Sequence, residues 1–465
     1  MDFRSDSVAA VASRVRSGEQ LAREVVEIAL TRIDAVDGVI NAFTSVDSES
    51  ALAAAQAVDL AVRDGKDPGT LAGVPIGVKD LEPAAGFVTS FGSASRVDDP
   101  PAESDSVLVS RLRAAGAIVI GKTNTPEYGH KGATDNVPFG ATHNPWNTDY
   151  SPGGSSGGTA AAVAAGMIPL GTGSDGGGSI RIPASLCGLT GLKTETGRVP
   201  IAGRAMPGSG LLSCNGPMGR TAMDTAVALD AVSGPDGRDP MSHVAPGVSF
   251  VESVERAEPP ARVIWCPTFG FAELDSQTLA SCRSAVDALA GAGTEVIELD
   301  SIWDEDPVHE WLVLWVVSRF KAQGNLMGTP AWDQLSDSIK PQIEAGAKRT
   351  GEQYARAQDY AFELNWKLED AFETAPYILC PTNAGLVPRM GHDGTINGME
   401  TPGWVQLTMG LNMTRNPAGS VCAGLNDAGL PVGLQVIGRH HDDPAVLGVM
   451  KALEDVIGFS EIATA

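Results

Sequence analysis

The chain has 465 residues, 43% of them hydrophobic and 19% charged, an ordinary globular balance with ample apolar material for a large core. Acidic residues outnumber basic ones by 57 to 33, a net charge of −24 that repels nucleic-acid phosphates and anionic membrane surfaces alike. Neither nucleic acid nor membrane is therefore expected among its partners.

The six cysteines (Cys187, Cys214, Cys266, Cys282, Cys380 and Cys422) are scattered without a C-x-x-C pair. That argues against a zinc site and a dense disulfide scaffold, and fits thiols kept reduced in a cytoplasm. The opening Met-Asp-Phe-Arg-Ser-Asp has no apolar signal core behind it, and the longest strongly apolar run, Trp311–Val317, is too short to span a bilayer. A cytoplasmic location is expected.

Residues 7–65 carry helical patterning. Leu21, Val25, Val26, Ala29 and Leu30 recur at steps of three and four, as do Leu52, Ala55, Val58 and Val62. At Gly73–Asp80 the period changes to two, with Val74, Ile76 and Val78 on one face of a strand. A helix over Asp105–Ala115, stopped by Gly116, precedes a short apolar strand at Ala117–Ile120. Helix alternating with strand predicts a layered α/β architecture. Gly116–Thr123 matches the phosphate-loop spacing G-x4-G-K-[ST], but its interior Ala-Ile-Val-Ile is itself a strand and a helix precedes it, against the order such a loop needs.

Residues 150–200 are unusually rich in small side chains. Gly153-Gly-Ser-Ser-Gly-Gly158 opens the run Thr159–Ala165, expected to be a closely packed helix that Gly166 can stop. Met167–Thr172 reads as a short buried strand, and Gly173–Gly178 as a glycine-rich loop ending at Ser179. Gly171–Gly176 fits the dinucleotide pattern G-x-G-x-x-G, with Glu195 placed as a ribose ligand would be, yet Ser179-Ile-Arg-Ile-Pro183 stands where the helix should begin. Gly153–Gly157 fits the nucleophile-elbow pattern G-x-S-x-G. Of the 7 histidines, His243, His309, His392, His440 and His441 lie downstream, so an esterase using Ser155 stays open as an alternative. A second serine loop is nevertheless something such an enzyme does not need. A helix of about ten residues from Gly157 runs about 15 Å away from Ser155, and a strand rising about 3.3 Å per residue returns a similar distance. This spacing permits Ser179 to sit beside Ser155.

Residues 231–262, rich in proline, glycine and charge, read as a connector. Helix and strand resume beyond it, with Val286–Leu289 and Val296–Leu299 looking like helix then strand. The stretch Trp303–Phe372, mostly helical and carrying five of the eight tryptophans, is a candidate pocket wall together with Gly398–Asn412.

Ser151-Pro-Gly-Gly-Ser-Ser-Gly-Gly158 followed by Gly173-Ser-Asp-Gly-Gly-Gly-Ser-Ile-Arg-Ile-Pro183 resembles the amidase signature family, as does the separation of Ser155 and Ser179 by 24 positions. Gly73-Val-Pro-Ile-Gly-Val-Lys-Asp80 resembles the family's lysine segment. Gly188–Lys193, Gly197–Pro200, Gly216–Thr221, Asn416–Ser420 and Gly429–Arg439 fit in order, so the resemblance spans residues 10–455. It implies one α/β/α layered domain over residues 1–465 around a mixed central sheet of about eleven strands. Within it, residues 1–65 would supply N-terminal helices, 66–230 the catalytic core, 231–262 the connector, and 263–465 the pocket helices and the rest of the sheet. It also implies Ser179 as nucleophile, Ser155 in a cis peptide as a bridge and Lys79 as base. No cofactor and no metal are implied, and the partner is a small-molecule amide or carbamate. Relatives are often dimers, so a homodimer is compatible with the resemblance.

The chemistry suits each of these residues. The Ser179 hydroxyl is too weak to attack an amide unaided and needs a base. The N–H groups of Gly176, Gly177 and Gly178, with that of Ser179, can form an oxyanion hole, in which one donor is typically worth about 2.7–4 kcal/mol. Ser155 would relay a proton from Ser179 to Lys79. Its bland alternative is an N-cap for the following helix, a role Ser156 can fill instead. Lys79 must be neutral, and both burial and the positive end of the nearby helix lower a lysine pKa. Asp175 and Arg181 flank the nucleophile and are expected to brace its loop by pairing. Gly176 stands where many relatives carry threonine, which is expected to leave more room there.

Relatives hydrolyse aliphatic, aryl and lipid amides, nylon oligomers, carbamates, or glutamine during tRNA-dependent amidation. The last role, that of an amidotransferase component working with partners and RNA, is the other alternative, and the negative charge disfavours it. Trp311, Trp315, Phe320, Met327, Trp332, Trp404 and Met409 are candidates for lining an apolar acyl or aryl site. A bulky apolar or aromatic amide is the expected substrate, with carbamate (urethane) and ester hydrolysis as side activities because those scissile groups are similar in shape.

Overall fold

The structure, a computed structural model, describes residues 1–203 and 208–464. Eleven strands form one sheet: β1 (Phe43–Val46), β2 (Pro75–Lys79), β3 (Ile118–Thr123), β4 (Leu170–Asp175), β5 (Thr190–Lys193), β6 (Cys214–Gly219), β7 (Arg262–Trp265), β8 (Glu295–Glu298), β9 (Ile378–Pro381), β10 (Ala418–Leu425) and β11 (Pro431–Ile437). Their order across the sheet is β1-β3-β2-β4-β6-β5-β10-β11-β9-β7-β8. The trio β3-β2-β4 and the trio β9-β7-β8 are internally parallel, and every other pairing is antiparallel. This is the mixed sheet that the resemblance implies.

Alternation along the strands feeds two cores. In β7 and β9, Val263, Trp265 and Leu379 join one apolar cluster, while Ile264, Ile378 and Cys380 join the other. Successive side chains of a strand point to opposite faces, so helices cover the sheet on both sides in an α/β/α sandwich. Strands buried on both faces need no polar alternation, which is why every residue of β2 is buried.

The small-residue run forms the helix Gly157–Ala164, buried at every position. It crosses β2, β4 and β6 at close range. A Cβ on Gly158 would collide with the Asn124 backbone nitrogen and lie 2.7 Å from the Ala42 oxygen, so only glycine lets the helix start against that backbone.

Three features differ from the sequence reading. The N-terminal helices (Val8–Arg16, Ala22–Ile40 and Ser48–Arg63) are interrupted by β1, whose four residues are too few for alternation to show. β4 continues through Gly173 and Ser174, which pair with Gly216 and Asn215 of β6, so the expected loop begins later. Pairing partners decide that extension, and local glycine content does not. The connector contains the helix Phe250–Glu255, anchored by a fully buried Phe250. The phosphate-loop lookalike, by contrast, is a turn followed by β3, as its apolar interior predicts, with Lys122 buried 3.5 Å from Asp80. Among the described residues no helix is long and apolar enough to cross a membrane. All six cysteines are buried and free.

Candidate active site

Lys79 ends β2, and its side chain is fully buried. Its Nζ reaches three hydroxyls, Ser155 Oγ at 2.8 Å, Ser156 Oγ at 2.8 Å and Ser174 Oγ at 2.9 Å. Its backbone N–H donates to Thr172 Oγ1 on the adjacent β4 at 2.9 Å. Burial brings the Lys79 pKa down to about 7, against the upward pull of Asp175 and Glu82. A neutral amine has two donors and one lone pair. It can therefore satisfy two of these hydroxyls as donor and accept from the third, which an ammonium cannot do.

The three hydroxyls are not equivalent. Ser156 holds the N-cap position of the helix Gly157–Ala164 without a side-chain cap, correcting the expectation that it fills that role. Its Oγ instead accepts from Ser174 N–H at 3.3 Å and donates to Ser174 O at 3.3 Å, while Gly157 N–H goes to Thr134 Oγ1 at 3.2 Å. Ser156 is thus committed to β4. Ser155 Oγ has no partner among the described residues except Lys79. The Gly154–Ser155 peptide is cis, as the resemblance implies. Ser156 N–H donates to Ser179 O at 3.2 Å, so the two serine loops lie side by side.

Asp175 and Arg181 do pair, and both are fully buried. Asp175 Oδ1 accepts from Arg181 Nη2 at 3.0 Å and Oδ2 from Arg181 Nε at 3.0 Å, while Asn412 Nδ2 donates to Oδ1 at 2.8 Å. Arg181 also donates to Gln435 Oε1 at 2.8 Å and Asn412 Oδ1 at 2.7 Å. Burial alone would raise the Asp175 pKa, but the guanidinium outweighs it and holds the carboxyl well below the usual range. Arg181→Met would leave this carboxylate buried without its cation. It is expected to cost about 3–5 kcal/mol in a urea unfolding experiment. A loss below about 1 kcal/mol, typical of an exposed pair, would mean that the pair does not brace the loop.

The oxyanion-hole expectation needs one correction. Gly178, at φ 121°, donates its N–H to Asp175 Oδ1 at 2.8 Å and is not a free donor. The N–H groups of Gly176, Gly177 and Ser179 carry no hydrogen bond to a described residue. Two side chains set the loop's orientation. Trp311 Nε1 donates to Gly176 O at 3.0 Å, and Thr408 Oγ1 donates to Gly177 O at 2.7 Å. A trans peptide points its C=O and the following N–H in opposite directions, so holding the Gly176 carbonyl turns the Gly177 N–H away from Trp311 Nε1.

Ser179 and Gly177 open onto a cavity of about 330 Å³ whose walls include Ile182, Trp311, Trp315, Trp404, Val405 and Met409. The loop Gly129–Ala133 closes another side. Trp311 and Trp315 stack with ring centroids 4.9 Å apart. A Cβ on Gly177 would lie 2.5 Å from Trp311 and one on Gly176 3.1 Å from Trp315. The room expected at Gly176 is therefore taken by Trp315.

Three wall candidates do not belong there. Phe320 and Met327 are 39% and 40% exposed, and Trp332 packs on Leu335, Ile339 and Ile343. Trp311 and Trp315 lie one turn apart, whereas Phe320 is nine residues beyond Trp311 and so, at about 100° per residue, on the opposite side of the helix Val308–Gln323. Ser156, Thr172 and Ser174 were not anticipated as site residues, and Asn412, the last residue of the expected wall stretch, holds Asp175 and Arg181 instead. Thr172 and Ser174 stand two apart on the strand beside Lys79, a period-two signal that could have found them.

The sequence and the fold are similar to those of known amidases. The family model described as Amidase matches residues 24–447. An acylamidase from Rhodococcus erythropolis is 35% identical, over 97% of this chain and 95% of its own. A glutamyl-tRNA(Gln) amidotransferase subunit from Synechococcus sp. (strain CC9311) is 34% identical, over 95% of each chain. Among solved structures, a bacterial aryl acylamidase of the amidase signature enzymes family superposes with a TM-score of 0.90 at 28% identity, covering 97% of this chain and 96% of that one.

Proposed function

This chain belongs to the amidase signature family of hydrolases acting on amides, and from that premise we propose that it cleaves bulky apolar or aryl amides through an acyl-enzyme on Ser179. The observation that carries the reading is the fully buried Lys79 amine 2.8 Å from Ser155 Oγ, beside a serine that opens onto an aromatic-walled cavity.

Ser179 Oγ attacks the amide carbon while its proton passes to Ser155 Oγ, and the Ser155 proton passes to Lys79 Nζ. The carbonyl oxygen becomes an oxyanion facing the free N–H groups of Gly176, Gly177 and Ser179. Collapse breaks the C–N bond. The amine leaves with a proton returned from Lys79 through Ser155, and Ser179 keeps the acyl group as an ester. Water then attacks that ester by the same relay, releases the acid and restores the serine. Asp175 and Arg181 hold the loop and take no proton. Carbamates and esters present the same trigonal carbon, so the route extends to them.

A panel of anilides, alkyl amides, carbamates and glutamine, run on wild type and Ser179→Ala, tests the substrate reading. Anilides and long alkyl amides are expected to give the highest kcat/KM. Turnover confined to acetamide-sized amides would overturn the bulky-pocket assignment. Glutamine is included because several relatives are subunits of glutamyl-tRNA(Gln) amidotransferases. The apolar wall formed by Ile182, Trp404 and Met409 favours a larger, less polar side chain.

A further inference from the structure

Two residues beyond β5, Glu195 carries a buried carboxylate on which three imidazoles converge. His243 comes from the connector, and His440 and His441 follow β11. His243 Nδ1 lies 3.2 Å and His441 Nδ1 3.0 Å from Glu195 Oε2, and His440 Nδ1 lies 2.8 Å from Oε1. We infer that Glu195, His243 and His441 form a binding site for a zinc ion, separate from the hydrolytic centre.

Three observations carry this. First, the ligand atoms of these residues all lie within 4.8 Å of one another, and both nitrogens stand about as far from Oε2 as neighbouring ligands do around a tetrahedral zinc with bonds of about 2.0–2.2 Å. Second, His243 Nδ1 is buried and close to the carboxylate, yet makes no hydrogen bond there. A ring nitrogen in that position has a use as a metal ligand. Third, the surroundings orient and balance a cation. His440 faces Glu195 Oε1 on one side and Asn365 Oδ1 at 3.1 Å on the other, which fixes the carboxylate. Arg198 lies 3.6 Å from Oε2, but its charge is met by the fully buried Asp443 at 2.9 Å.

Two imidazoles and a carboxylate suit zinc and leave a fourth position for water. His441 is 71% exposed at its side chain, which provides entry for the ion. The three ligands come from sequence positions 195, 243 and 441, so a bound zinc ties the connector to the core. His243 N–H already donates to Gly197 O at 2.9 Å, and Arg198 Nη1 to Val244 O at 2.9 Å, which brings the connector to this place. The ion would therefore act as a staple and not as a participant in amide cleavage.

The test is zinc titration of the full chain after stripping with EDTA, using a chromogenic chelator as competitor and native mass spectrometry to count ions. Wild type is expected to take up about one zinc and to gain Tm on doing so, and His243→Ala and His441→Ala each to weaken binding at least about tenfold. Circular dichroism and retained amidase activity show that the variants are folded; His243→Gln and His441→Gln serve if the alanine forms are not. No stoichiometric uptake by wild type, or equal uptake by the His243→Ala/His441→Ala double variant, would overturn the assignment. In that case the histidines form only an ion-paired shell around Glu195.

Discussion

Ser179→Ala is expected to lower kcat at least about ten-thousand-fold on any amide that the wild type turns over, with substrate affinity little changed. The substitution removes one oxygen. It leaves the Asp175–Arg181 brace, the Trp311 bond to Gly176 O and the apolar wall in place, because none of these uses the Ser179 hydroxyl. What disappears is the covalent route, and the activity that remains reflects positioning and oxyanion contacts alone. Ligand binding measured directly on the inactive variant separates this outcome from misfolding. If Ser179→Ala kept a tenth of wild-type activity while Ser155→Ala abolished it, the nucleophile would be Ser155 and the elbow alternative would return.

Lys79→Met is expected to reduce kcat/KM at least about a thousand-fold and to remove the acid limb of the pH–rate profile. The direction follows from the amine's environment. Burial favours the neutral form and brings the pKa to about 7, while Asp175 and Glu82 oppose the shift. Above that value the amine has its lone pair and can accept the proton that Ser155 passes on. Below it Lys79 is an ammonium, which donates to hydroxyls and accepts nothing, so the wild-type rate should fall tenfold for each further pH unit. Methionine has similar length and no basic nitrogen, so the fold keeps its packing while Ser155 loses its acceptor. Retention of an acid limb near pH 7 in Lys79→Met would assign that limb to another group.

The parts of this site legible in the sequence are Lys79, Ser155 and Ser179, whose roles are implied by the resemblance of their motifs to a known family, and the Asp175–Arg181 pair, which sits close together along the chain. Ser155 and Ser179 belong to glycine-rich runs whose small residues are needed for close approach, and Lys79 ends a strand whose period-two pattern is plain. Asp175 and Arg181 lie within the same short run, so their pairing could be anticipated from proximity. The layered architecture was legible for a related reason, since alternating helices and strands with apolar interiors have few other ways to pack. Long-range contacts outside those motifs were not legible. Asn412 reaches Asp175 and Arg181 from a distant helix, and Trp311 reaches Gly176 from another. Composition marked the tryptophan-rich stretch as a wall, but only the orientation of its helices decides that Trp311 and Trp315 face the nucleophile loop while Phe320 faces away. Gly178 failed as an oxyanion donor because a carboxylate three residues earlier claims its N–H. The free donors cannot be told from the claimed one by counting glycines.

The central claim is that a neutral buried lysine arms Ser179 through Ser155. The most direct measurement is the pH dependence of the rate at which a fluorophosphonate labels the enzyme, with the modified residue identified by mass spectrometry. The label is expected on Ser179, at a rate that holds above about pH 7 and falls tenfold per unit below it. A labelling rate that stays flat from about pH 5 to 9, or a label on Ser155, would contradict it.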